Sequence, residues 1–126
     1  MSKKATLADI IAKKKQGDMD KLQVKFYYSE LLDMEIEVRK IPLSQYLELA
    51  EGVEDGAIEA MNKMIYKCCP MFKENTKEAM EVYEVSTPTD LPSAILEDQL
   101  NEINGIIEII NSFYGVDKLE DDIKNS

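Results

Sequence analysis

The spacing of apolar positions changes period along this chain, and each change predicts an element. Leu7, Ile10 and Ile11 share one helical face behind Thr6, with Asp9 three residues on in a variant of the capping box and Gly17 following Lys13, Lys14 and Lys15 as a stop. That stripe covers little more than one turn, so it predicts a short helix that docks weakly on its own domain or on another chain. From Leu22 the period falls to two. Leu22, Val24, Phe26 and Tyr28 alternate with Gln23, Lys25 and Tyr27, and then Met34, Ile36 and Val38 alternate with Glu35, Glu37 and Arg39. The pattern predicts a hairpin over residues 22–38, turning through residues 29–33. Two strands alone are marginal in water, so the apolar face is expected on helices or in a sheet shared with a neighbouring copy.

After Pro42 the period becomes three and four. Tyr46, Leu47 and Ala50 mark a helix that Gly52 is expected to close; Asp55 is expected to cap the next, whose stripe runs through Ile58, Met61, Ile65 and Cys68 to Pro70. A weaker helix is predicted from Asn75, which would cap it with Glu78 in reply. The longest is predicted over residues 91–114, opened by Thr89 or Asp90 with Pro92, carrying Leu96, Leu100, Ile103, Ile107, Ile110 and Tyr114, and stopped by Gly115. Ile95, Ile106, Ile109 and Phe113 widen this stripe beyond what a simple seam needs, so the helix is either deeply buried or offers apolar surface. The predicted class is α+β, a mostly α-helical single domain with one N-terminal β-hairpin. It divides into residues 1–20 (N-terminal helix and linker), 21–115 (hairpin plus helical domain) and 116–126 (an acidic tail).

Charge changes the picture mainly by exclusion. The net charge of −10 is uneven, with nine Lys and Arg against seven Asp and Glu in residues 1–40, and six against eighteen in residues 41–126. An acidic body repels a phosphate backbone, and the lysines at 13–15 are more simply read as complementing a helix dipole, so no nucleic acid is expected as partner. No apolar run is long enough to span a bilayer, and residues 1–6 lack the apolar segment expected of a signal peptide behind their lysines, so no membrane is expected either.

Candidate chemistry is sparse. The chain has no histidine, which removes imidazole acid-base catalysis and Ser-His or Cys-His pairs. Cys68 and Cys69 fall at a helix C-terminus, where the dipole disfavours a thiolate, and read as packing residues. Asp117, Glu120, Asp121 and Asp122 lack the glycine and terminal glutamate of a calcium loop. Glu97, Asp98, Glu102 and Glu108 read as the wet face of the long helix. No glycine-rich phosphate loop occurs, and no metal or cofactor is expected. Seven methionines are the more suggestive enrichment, since Met suits both irregular cores and adaptable partner surfaces; Met61 and Met64 follow the core stripe, while Met71 and Met80 do not.

Three phrases between residues 36 and 115 recur in order in one family: Glu37-Val-Arg-Lys-Ile-Pro-Leu-Ser-Gln-Tyr-Leu-Glu-Leu49, Ala60-Met-Asn-Lys-Met-Ile-Tyr-Lys-Cys-Cys-Pro70 and Thr87-Pro-Thr-Asp-Leu-Pro-Ser-Ala-Ile-Leu96. With them the chain resembles the XkdN-like tail assembly chaperones of long-tailed bacteriophages and phage-derived tail-like particles. The resemblance implies a non-catalytic protein that coats the tape measure protein, assists polymerisation of the tail tube around it in the bacterial cytoplasm, and leaves before the particle matures. The implied partner is the tape measure protein, with the tail tube protein and a second copy of this chain as further candidates. The family has no catalytic signature to carry across. Candidate partner-binding residues are therefore apolar positions expected to be spare: Leu7, Ile10 and Ile11, with Ile106, Ile109 and Phe113. The competing reading is an acidic DNA mimic that inhibits a host DNA-binding enzyme, but Lys63, Lys67, Lys73 and Lys77 interrupt its carboxylates.

Overall fold

A computed structural model describes residues 4–17 and 23–116. The element order is α1 (Leu7–Lys15), β1 (Val24–Ser29), β2 (Met34–Arg39), α2 (Leu43–Glu54), α3 (Ile58–Cys68), α4 (Thr76–Tyr83), α5 (Leu91–Ile95) and α6 (Leu100–Ser112), with 3₁₀ turns at Pro70–Lys73 and Pro88–Asp90. The fold is α+β, as the change of period predicts. Residues 57–114 hold no strand.

The core lies between α3 and α6. Met61, Met64, Ile65 and Cys68 of α3 meet Ile103, Ile106, Ile107 and Ile110 of α6, while Ile36 and Val38 of β2, with Phe72, Leu91 and Leu96, complete the cluster. Each fully buried isoleucine contributes roughly 1.5–3 kcal/mol by leaving water. Ile58, expected in the α3 stripe, is exposed at the first residue of the helix. Gly52 does not end α2, which continues to Glu54; a Cβ there would stand 2.7 Å from the Ala60 Cβ, so the glycine lets α2 and α3 approach. Asp55 follows α2 as its C-cap, and Ala57 precedes α3 without any side-chain cap.

The predicted long helix is two helices. Glu97 and Asp98 both take left-handed backbone (φ 52° and 58°), which turns the chain between α5 and α6 and leaves Leu100 exposed at the start of α6. Asn75 also lies in the left-handed region at the start of α4, so it holds the cap position without a side-chain cap bond.

The hairpin is antiparallel, with Lys25 opposite Val38, Tyr27 opposite Ile36 and Ser29 opposite Met34. Ile36 and Val38 face the core, so this register turns Lys25, Tyr27 and Ser29 inward and leaves Phe26 and Tyr28 exposed. The expected apolar face of β1 is therefore the outer one. The reason lies on α6. Glu102, read from sequence as a solvated residue, is 2% exposed and accepts hydrogen bonds from the Tyr27 hydroxyl, from Ser29 Oγ at 2.9 Å and from the Leu31 N–H at 2.8 Å. Gly105, one turn along α6, makes room for the Tyr27 ring: a Cβ there would stand 2.5 Å from Tyr27 Cε1.

The far end of the hairpin is held by Tyr114, whose hydroxyl donates to the Ile41 carbonyl at 2.6 Å and accepts from the Ile41 N–H at 3.1 Å. Its ring stacks on Tyr46 of α2 with centroids 3.9 Å apart, and Tyr46 donates to Asn111 Oδ1 at 2.7 Å. These bonds join the hairpin, α2 and α6 in one seam.

Candidate interaction site

Local chemistry, not packing, builds α1. The Thr6 hydroxyl accepts from the Asp9 N–H at 3.2 Å and donates to Asp9 Oδ2 at 2.8 Å, while Lys13, Lys14 and Lys15 fill the last turn, where cations complement the helix dipole. Gly17 takes φ 78° after the helix, as the stop requires. No residue of α1 is buried. Leu7, Ile10 and Ile11 are 71%, 52% and 47% exposed on one face.

The second expected set divides. Ile106 is fully buried against the hairpin and α3, so it is core and its expected availability is corrected; Ile109 and Phe113 are half-buried on the rim of the same core. Lys25 stands over the Phe113 ring at 5.1 Å and donates to Ser112 Oγ at 2.6 Å, which covers part of that rim. Of the second set, only Ile109 and Phe113 keep exposed surface.

Sequence reasoning missed a groove between α2 and α6. Tyr46, Leu47, Ala50 and Val53 line one wall, Ile107, Asn111 and Val116 the other, around about 390 Å³ of open space with Glu54 at one end. Leu47, expected to face the core with Tyr46, is instead exposed, as is Leu43 one turn earlier. The signal was present: α2 carries more large apolar side chains than one buried face accommodates. The outer hairpin face, with Phe26 and Tyr28, is a further apolar surface, and Tyr28 donates to Asp33 across the turn.

The groups with chemical potential are consumed structurally. Burial pushes the Cys68 thiol up to about 12, against the smaller pull of Lys73 and Lys67, and raises Cys69 further, so both are poor nucleophiles near neutral pH. Burial also drives the Glu102 carboxyl upward, but the hydrogen bonds from Tyr27, Leu31 and Ser29 outweigh it and hold the group below the usual glutamate value. The N-terminal end of α6 adds to this preference for a carboxylate. Burial and the Glu102 carboxylate raise the Tyr27 phenol. Asn62 Oδ1 is occupied by Ser93, whose N–H and hydroxyl donate at 3.0 and 2.7 Å. Among the described residues no group of three Asp, Glu, Cys or His is placed to hold a metal ion, and no helix is long and apolar enough to cross a membrane. Asp117, Glu120, Asp121 and Asp122 lie outside the described residues, as do Leu22 and most of the predicted linker. Comparison with protein-family models, curated proteins and solved structures gives no match.

Proposed function

We propose that this chain is a non-catalytic tail assembly chaperone of the XkdN-like kind, binding the tape measure protein and assisting assembly of the tail tube around it. The observation that carries the reading is α1: a capped helix with its whole apolar stripe exposed and no residue buried. A nine-residue helix is too short to persist strongly alone, and contact with an extended apolar client would stabilise it. The net charge of −10 keeps a complex with such a client soluble. Half-buried Ile109 and Phe113 contribute at most a secondary contact, and Ile106 none.

Co-expression with the tape measure protein of the same gene cluster tests this reading. The client is expected to stay soluble and copurify with the intact chain, and both effects are lost with Leu7→Ser, Ile10→Ser and Ile11→Ser combined, while the melting temperature of the chaperone stays unchanged. Client solubility equal to that with an empty vector would sink the proposal.

A further inference from the structure

The α2–α6 groove and the exposed stripe of α1 have complementary character. The groove offers Leu47, Ala50, Val53 and Ile107 to an incoming apolar stripe. Its end is acidic: Glu51 and Glu54 follow Leu47 at helical spacing on α2, and Asp55 caps that helix. Neither α2 nor α6 contains a Lys or Arg. Because the C-terminal end of α2 is also the negative end of its dipole and has no basic residue in its last turn, the charge there is uncompensated within the helix. Helix α1 presents the reverse: an apolar stripe at Leu7, Ile10 and Ile11 leading into three lysines. Leu47 to Val53 and Leu7 to Ile11 both extend roughly 6–9 Å along a helix at 1.5 Å per residue, so stripe and lysines fit the groove and its acidic end together.

We propose that α1 of one copy docks in the α2–α6 groove of a second copy, with Leu7, Ile10 and Ile11 on Leu47, Ala50 and Ile107, and Lys13 and Lys15 beside Glu51 and Glu54. A second copy is the occupant because the groove's apolar wall and acidic end match a helix that this chain carries and that buries nothing in its own monomer. The contact is small, well under a standard interface, so association is weak, concentration-dependent and salt-sensitive. Reciprocal exchange of α1 doubles it and closes a dimer. The same stripe meets a client under the function proposed above, so client and self-association exclude each other. The self-association itself needs no client and stands or falls separately.

Sedimentation of the full chain from about 1 µM to about 1 mM tests this. The average mass is expected to rise toward a dimer with concentration and to fall back with added salt. Leu47→Glu, on an exposed position, and separately Leu7→Ser with Ile10→Ser, should each weaken association at least tenfold while the circular dichroism melt is retained. Lys13→Glu with Lys15→Glu should do the same, and mixing that variant with Glu51→Lys plus Glu54→Lys should restore hetero-association. A monomer at every concentration overturns the proposal, as does a dimer indifferent to these variants. A chain carrying Ile10→Cys mixed with one carrying Leu47→Cys should give an intermolecular disulfide. If the two substitutions in one chain instead close a disulfide within a monomer at high dilution, α1 covers its own groove and the exchange is wrong.

Discussion

Helices α1 and α6 have the same amphipathic design and opposite fates. α6 buries five of its thirteen residues, whereas α1 buries none of nine. Both have isoleucines at helical spacing, but the α1 stripe covers little more than one turn whereas that of α6 runs the length of the helix. A polar anchor adds to the difference. Glu102 in the first turn of α6 collects Tyr27, Ser29 and Leu31 from the hairpin, and Gly105 leaves the gap into which the Tyr27 ring fits. A buried carboxylate tolerates few alternative partners, so it fixes which face of the hairpin meets the helix. The cap and the basic last turn of α1 stabilise a helix without telling it where to dock.

The largest test of that contrast places the same charge on both stripes. Ile106→Asp puts an unpaired carboxylate into a fully buried site and removes its packing, costing about 5 kcal/mol or more, comparable with the whole stability of a small domain. Ile10→Asp should leave the melting temperature within about a degree, because a surface change away from such features is worth little. Thermal melts by circular dichroism check both; a cooperative melt for Ile106→Asp near the wild-type temperature would show that α6 is not the core helix.

Smaller and more specific is the anchor itself. Glu102→Gln keeps the size but removes the charge and replaces one of the two accepting oxygens by an N–H₂ that faces a donor, so it should cost about 2–3 kcal/mol at neutral pH. The folded carboxyl is held below its ordinary value of 4.5. Its stabilisation is therefore fully present above that unfolded value and is lost as the pH falls through the lower folded one. Urea unfolding of wild type and variant should differ most at pH 7, and the gap should close as the pH falls below 4.5 and through the lower folded value; a gap that is constant with pH would mean that Glu102 acts by shape and not by charge.

What was legible in the sequence follows the same division. The hairpin, the α3 stripe and the capped α1 could be read because each is set by neighbours a few residues away. The inward face of β1 could not. Val24, Phe26 and Tyr28 are more apolar than Lys25, Tyr27 and Ser29, and only Glu102, 75 residues beyond Tyr27, reverses the choice. The break between α5 and α6 was hidden for a related reason: no glycine or proline marks it, and Glu97 and Asp98 take left-handed backbone that the tertiary fold selects. Of the candidate site, the α1 stripe was visible in its spacing. The α2–α6 groove was not, since whether Leu47 faces core or solvent depends on how α2 is rotated by the Tyr46–Tyr114 stack and by the close approach at Gly52.

The smallest expected effect falls on α1 and sharpens the comparison from its weak side. Thr6→Ala removes the acceptor for the Asp9 N–H and the partner of its carboxylate, a loss of about 1 kcal/mol of helix stability. In α6 such a loss would subtract from global stability, because the helix unfolds with the core. In α1 nothing is buried, so the helix frays by itself and the global melt should not move. Backbone chemical shifts of residues 7–15 should drift toward random coil by a fraction that increases with temperature, while those of residues 100–112 stay fixed. If Thr6→Ala lowers the global melting temperature by several degrees, α1 is packed in solution. The variant would then dissect that packing, since a drop that vanishes on dilution belongs to a second copy and one that persists belongs to the chain's own groove.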